Sequence, residues 1–290
     1  MQIKPLENEH EIQRQVREFY DRVGWKEISE GLYQNARYED LRPVSQEYIH
    51  RCHLRITRHL HPKGHFFLDA GSGPIQYPEY LDYSRGYQKR VCADLSITAL
   101  KAARTRLGAK GLYVVADVSR LPFVSNSFDA VISLHTIHHL PAQQHVPAYL
   151  ELHRVLAQGR RAAVVNGWDD SPMMDFFSRI RQWVKRERHG GRWQQKGAQP
   201  HPLAEISANG AKGTFVQKND PEWLKRELGK HLRFNILVWR SAGTNFLRFF
   251  IREKWLGRFW LRLLFFLEER FPRYFGEKGR YPLIVFSKTQ

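Results

Sequence analysis

Residues 66–81 read FFLDAGSGPIQYPEYL, an apolar run that ends in Asp69 and then turns through Gly71 and Gly73. A tight turn needs residues that tolerate unusual dihedrals, and a ligand reaches the backbone closely only where a side chain is missing. A dinucleotide cradle reads G-x-G-x-x-G, with pyrophosphate at the following helix N-terminus. Here Gln76 holds the sixth position, and Pro74 and Pro78 predict a short or irregular helix. The turn therefore suits a nucleotide-like ligand other than a dinucleotide.

From residue 65 onward, short apolar runs alternate with helical stretches. HFFLDA, RVCADL, LYVVAD, FDAVISL and RRAAVVNG read as strands, with SITALKAARTRLG and AYLELHRVLAQG between them. This alternation predicts an α/β fold, a parallel sheet with helices on both faces. Two later runs, 232–240 and 281–288, add strands. Upstream, 8–20 and 45–60 carry helical periodicity.

Acids stand at successive strand ends. Asp94 follows Gly71 by one βα unit, where a carboxylate accepts ribose hydroxyls. Asp117 closes the next strand, with Val118 and Leu121 beside it, and a carboxylate there can accept the exocyclic amine of an adenine.

With these residues in hand, FLDAGSG, VCADLS, VVADVSRLPFVSNSFDAVISLHTIHHL and ELHRVLAQGRRAAVVN resemble the successive motifs of class I S-adenosylmethionine-dependent methyltransferases. Within that class the chain is similar to the small-molecule branch that includes ubiquinone and menaquinone biosynthesis methyltransferases. The resemblance implies a Rossmann-like, seven-stranded doubly wound sheet with an antiparallel last strand, and S-adenosylmethionine as cofactor. It places Asp69, Ala70, Gly71 and Gly73 at the methionine and ribose end. Asp94 and Leu95 hold the ribose and flank the base, Asp117 and Val118 meet the adenine, and His135 lies near the methionine moiety. The chain departs from the family pattern at Ile75, where a small residue is common, and at Pro78.

A sulfonium methyl needs an aligned nucleophile more than elaborate acid–base groups. For a hydroxyl acceptor, the candidate bases are His135, His138 and His139 in LHTIHHLP, with Tyr20 as a further active-site candidate. No carboxylate stands at ligand spacing from these histidines, so no metal is expected. Nucleic-acid bases are poor acceptors. The place of the Asn/Asp-Pro-Pro-aromatic run of amino-methyltransferases reads SLHTIHHL, and neither Cys52 nor Cys92 is placed for cytosine chemistry.

The expected organisation is an N-terminal helical lid, 1–62, and a methyltransferase domain, 63–290, with inserts 168–217 and 241–280 at the active-site rim. The first insert shows little regular pattern and sets Arg179, Arg181, Lys185, Arg186 and Arg188 around Trp183 and Trp193. The second is broadly apolar and aromatic, with Arg248, Arg252, Arg258 and Arg262 on one side of the helical wheel. Such a stripe suits an anionic membrane interface or an apolar ligand with a charged head, and equally a homodimer face or a helical cap packed on the domain with its arginines reaching to solvent.

Composition agrees with this frame. A 42% hydrophobic share supports a packed core, and 46 Lys+Arg against 29 Asp+Glu, a net +17, favours anionic partners. Two cysteines offer no disulfide framework, and no signal-like or membrane-spanning run is seen, so the expected location is cytoplasmic with peripheral membrane contact.

Overall fold

The computed structural model describes residues 5–29, 32–35, 39–188 and 214–289. Trp193 and most of the first insert's second half lie outside them. Helix α1 (Pro5–Phe19) runs directly into a π-helical turn, Tyr20–Gly24. A small hairpin follows, β1 (Glu27–Ser29) and β2 (Leu32–Tyr33), and then α2 (Pro43–His53). The pattern over 45–60 continues past α2 as a 3-10 helix, Leu54–His59, from which Arg55 and Arg58 reach across to Glu269.

The sheet holds seven strands. β3 (Gly64–Ala70), β4 (Tyr87–Asp94), β5 (Gly111–Val115), β6 (Phe128–Leu134) and β7 (Leu156–Val165) pair in parallel, with α3 (Glu79–Asp82), α4 (Ile97–Leu107) and α5 (Ala142–Val155) as crossovers. After β7 come α6 (Pro172–Arg188), α7 (Pro221–Glu227) and β8 (Phe234–Arg240). Helices α8 (Thr244–Phe250), α9 (Gly257–Arg270) and α10 (Pro272–Lys278) lead into β9 (Tyr281–Ser287). The order is β5-β4-β3-β6-β7-β9-β8, and β9 runs antiparallel to both neighbours.

The strands are apolar because both sheet faces are covered. Leu68, Val91, Val131, Val164 and Ile284 pack on one side, and Phe67, Cys92, Ile132, Val165 and Trp239 on the other. The chain winds from β3 outward to β5, then returns to β6 on the other side of β3. That reversal opens a crevice at the carboxyl ends of β3 and β6, the place where doubly wound sheets bind ligands.

A third cluster joins segments distant in sequence. Val44, Tyr48, Ile49 and Cys52 of α2 pack with Leu247 of α8 and with Leu261 and Phe265 of α9. Within it Glu268 is fully buried, paired with Arg55 at 2.9 Å and accepting from Tyr48 at 2.7 Å. The second insert is thus several short helices that cap the N-terminal α2. The first insert contains a regular helix, α6, which the sequence pattern did not suggest. Its Phe177 packs on Phe246 and Phe250 of α8. Among the described residues, no helix is long and apolar enough to cross a membrane.

Candidate functional site

One cavity of about 1550 Å³ lies at the carboxyl edge of the sheet. Its lining brings together Tyr20, Asp69, Gly71, Gly73, Asp94, Leu95, Asp117, Val118, His135, His138 and His139. Of the twelve cofactor and catalytic candidates named from sequence, Ala70 alone is not in the wall: it is fully buried in the sheet core.

The floor is the glycine turn. Gly71 and Gly73 adopt φ of 76° and 54°, the left-handed region that glycine enters without cost. A Cβ on Gly71 would run into the Thr136 side chain, so the strand ends of β3 and β6 approach only because none is there. Ile75 follows at φ 56° with its side chain fully buried, and Arg106 holds its carbonyl at 2.6 Å. Instead of a long helix, the chain then forms only the four residues of α3. Asp69 points to the same floor but is ion-paired with the buried Arg90, so its carboxylate braces β3 against β4.

Two acids remain as acceptors. Asp94 takes the Gly73 amide on one oxygen and the Ser96 amide on the other, each at 2.8 Å. Burial pushes its carboxyl up to about 6, against the lowering effect of those amides. Each carboxylate oxygen still has a further lone pair. Asp117 stands two residues beyond the end of β5 and accepts from Ser119 and, at 2.6 Å, from the Gln13 amide of α1. Together with a hydrogen bond from Ser96 to Asp21, this holds the N-terminal segment over Asp94 and Asp117.

The histidine cluster is neutral. Burial holds His135 down to about 3 and His139 to about 4, and likewise keeps His138 well below the usual range. His135, at φ 56°, lies edge-on to Trp239 and Tyr281. His138 faces Asn166 at 3.4 Å. His139 Nδ1 sits 2.8 Å from the Phe215 carbonyl, which can only accept, so Nδ1 carries the proton and Nε2 accepts from Tyr20 Oη at 2.7 Å. The π-helical turn carries Tyr20 to this point, and Trp25 stacks on its ring.

The opposite wall is built largely by the inserts expected at the rim, though nothing in the sequence marked its Met174, Phe177 and Lys218. Met174, Phe177, Phe246 and Phe250 make it apolar, and Arg181, Lys218 and Arg280 make it cationic. Lys218 forms no hydrogen bond or ion pair among the described residues; burial, and next Arg280, bring its ammonium down to about 8. Behind it the buried Arg240 pairs with Glu39, and Trp239 Nε1 is buried without a partner among the described residues. Lys218 is a single lysine in an aperiodic loop, and no local pattern marks it.

Comparison with known proteins agrees with this geometry. A family model described as a methyltransferase domain matches residues 68–164. The chain is 28% identical over 167 residues to methyltransferase GfsG of Streptomyces halstedii, covering 53% of this chain and 58% of that protein. It thus spans well under two thirds of that relative's length. Among solved structures, geranyl diphosphate C-methyltransferase from Streptomyces coelicolor A3(2) superposes with a TM-score of 0.51 at 15% identity, covering 96% of this chain and 98% of that one. The [4+2]-cyclase SpnF gives 0.52 at 17%, covering 96% and 97%. One of these two is a cyclase, so the shared fold does not by itself specify methyl transfer. Residues 68–164 match the methyltransferase-domain family, and the seven-stranded sheet that contains them has the fold of these S-adenosylmethionine-dependent methyltransferase-like structures.

Proposed function

We propose that the protein transfers a methyl group from S-adenosylmethionine to a small acceptor with an apolar body and an anionic group. The observation that carries this reading is the meeting, in one cavity, of the strand-end acids with an aromatic and cationic wall. The residues present fit the cofactor. The turn at Gly71 and Gly73 is bare, Asp94 and Asp117 offer acceptors for ribose hydroxyls and an adenine amine, and Leu95 and Val118 are apolar neighbours for the base.

Bound there, the cofactor supplies a sulfonium methyl, already a good electrophile. What the chain adds is alignment and exclusion of water. Phe177, Phe246 and Phe250 hold the acceptor's apolar part, and Lys218, Arg181 and Arg280 receive its anionic group. If the nucleophile is a hydroxyl, the proton leaves late, from an oxygen made strongly acidic by its new bond to carbon. A weak base then suffices. Tyr20 Oη accepts that proton while passing its own to His139 Nε2. A protein of this fold, the geranyl diphosphate C-methyltransferase, is known with an acceptor of the same general chemistry.

The test is incubation of purified protein with methyl-labelled S-adenosylmethionine and a lysate, followed by separation into lipid, small-molecule, protein and nucleic-acid fractions. Label in the lipid or anionic small-molecule fraction is expected. Label confined to protein or nucleic acid would overturn the acceptor class. Cofactor binding without label in any fraction would favour a binding protein that does not turn over.

A further inference from the structure

Helix α9 is apolar on two opposite sides. Gly257, Leu261, Phe265 and Glu268 face inward onto α2 and the strand-end network. On the far side, at the i, i+4, i+7 spacing of one helical stripe, stand Phe259, Leu263 and Phe266, with Trp260 beside them. Phe259, Trp260 and Phe266 are 56%, 53% and 63% exposed. Trp255 and Leu256 extend the stripe at one end, and Phe271 and Tyr274 at the other. A surface of this composition is unusual on a soluble molecule and marks a contact.

Charge decides which contact. The acids beside the stripe are already engaged: Glu253 with Arg258, Glu47 with Arg262, and Glu269 with Arg55 and Arg58. Arg252, Lys254 and Arg270 form no ion pair among the described residues. A twofold interface through this stripe would set these cations against their own copies without acids to answer them. An anionic lipid surface meets both needs, apolar depth for the aromatics and phosphate for the cations. Tryptophan and arginine at the rim of an apolar stripe are the residues that settle at that boundary.

The backbone adds a separate observation. Leu256 adopts φ 55°, where a leucine is strained and a glycine is not, and it is 69% exposed. The strain turns the chain from the 3-10 turn Glu253–Trp255 into α9 while holding an apolar side chain outward. Folding gains nothing from that side chain, so its use lies outside the chain.

We infer that α9 lies flat on an anionic membrane surface, with Leu256, Phe259, Trp260, Leu263 and Phe266 inserted among the acyl chains and the flanking cations at the headgroups. This goes beyond the methyl-transfer reading and stands without it. Helix α8, which lines the cavity with Phe246 and Phe250, precedes α9 by a few residues, so docking brings the apolar wall close to the lipid boundary.

The experiment is sedimentation of the full chain with vesicles of phosphatidylcholine, or of phosphatidylcholine and phosphatidylglycerol in equal parts, alongside measurement of its oligomeric state. Binding at least tenfold stronger to the anionic vesicles, weakened by salt, is expected. Phe259→Ser with Phe266→Ser should abolish it while leaving cofactor affinity and far-ultraviolet circular dichroism unchanged. Leu256→Gly is the second variant: it should bind vesicles several-fold more weakly yet melt no lower than the parent. No binding to either vesicle would overturn the inference, as would equal, salt-insensitive binding to both. Self-association that disappears in the Phe259→Ser, Phe266→Ser variant, without vesicle binding, would assign the stripe to a second copy instead.

Discussion

Tyr20 Oη donates to His139 Nε2 across 2.7 Å, and the Phe215 carbonyl fixes the tautomer that makes this possible. The pair joins the N-terminal π-helical turn to the 3-10 turn Ile137–His139 that follows β6, at the wall of the cavity. Tyr20→Phe keeps the ring and removes the relay. We expect kcat to fall about a hundredfold on a hydroxyl acceptor, with cofactor affinity held. Combining it with His139→Asn should cost little more than either change alone, because the two act as a unit. A Tyr20→Phe enzyme with parental kcat would reduce the phenol to packing.

We expect Asp94 to set an acid limit on cofactor binding. Its carboxyl, raised to about 6 by burial, loses charge and acceptor capacity as pH falls through that value. Titration calorimetry should show the Kd for S-adenosylmethionine rising as pH drops below 6, approaching about tenfold per unit. The sign for the fold itself is opposite. A carboxyl whose folded value exceeds its unfolded one contributes stability below the unfolded value and loses it as pH rises through the folded one. Asp94→Ala should abolish the pH dependence of binding along with most of the affinity. A flat pH profile in the parent would remove Asp94 from the ribose.

The depressed histidines act on stability in the other direction. His135 and His139, held down to about 3 and 4, contribute stability above their unfolded values and lose it as pH falls. Chemical denaturation from pH 7 to pH 4 should show a progressive loss, smaller in His139→Asn than in the parent. An identical pH dependence in the two would mean that His139 does not report on folding.

Lys218 should set the alkaline limit. Its ammonium, brought down to about 8 by burial, is charged at neutral pH and neutral above that value. For an acceptor with an anionic group, KM should rise above pH 8, and Lys218→Met should raise it about tenfold at pH 7 with kcat little changed. Steady-state kinetics with the acceptor and its uncharged analogue separate this from a general loss of fit. Equal effects on both would exclude a role in anion binding.

The Arg55–Glu268 pair is a structural commitment rather than a catalytic one. Arg55→Met leaves Glu268 buried without its cation, and removal of one partner from such a pair costs about 3–5 kcal/mol. Urea denaturation should show that loss. Less than about 1 kcal/mol would indicate water entry around Glu268.

The sheet was legible in the sequence because parallel strands covered on both faces are written as continuous apolar runs, and the bare turn because only glycine suits the positive φ of Gly71 and Gly73. The acids Asp94 and Asp117 were marked by their place at strand ends. The short helix after the turn followed from Pro74 and Pro78. Other features depend on pairs far apart in the chain. Gln13 reaches Asp117, Glu39 reaches Arg240, and Tyr20 reaches His139 only after the sheet has formed. Lys218 has no periodicity around it, so its position is set by the cavity it enters. Helix α6 was obscured by its run of charges, although Phe177 turns inward onto α8.

Tyr48 and Glu268, 220 residues apart in the chain, share one hydrogen bond beneath the cap. Recombination between relatives would therefore treat residues 43–59 and 241–280 as a single cassette. A graft of the second insert alone imports a carboxylate whose phenol and guanidinium stay behind in the donor. Changes that are tolerated in one of these two stretches should then appear paired with changes in the other.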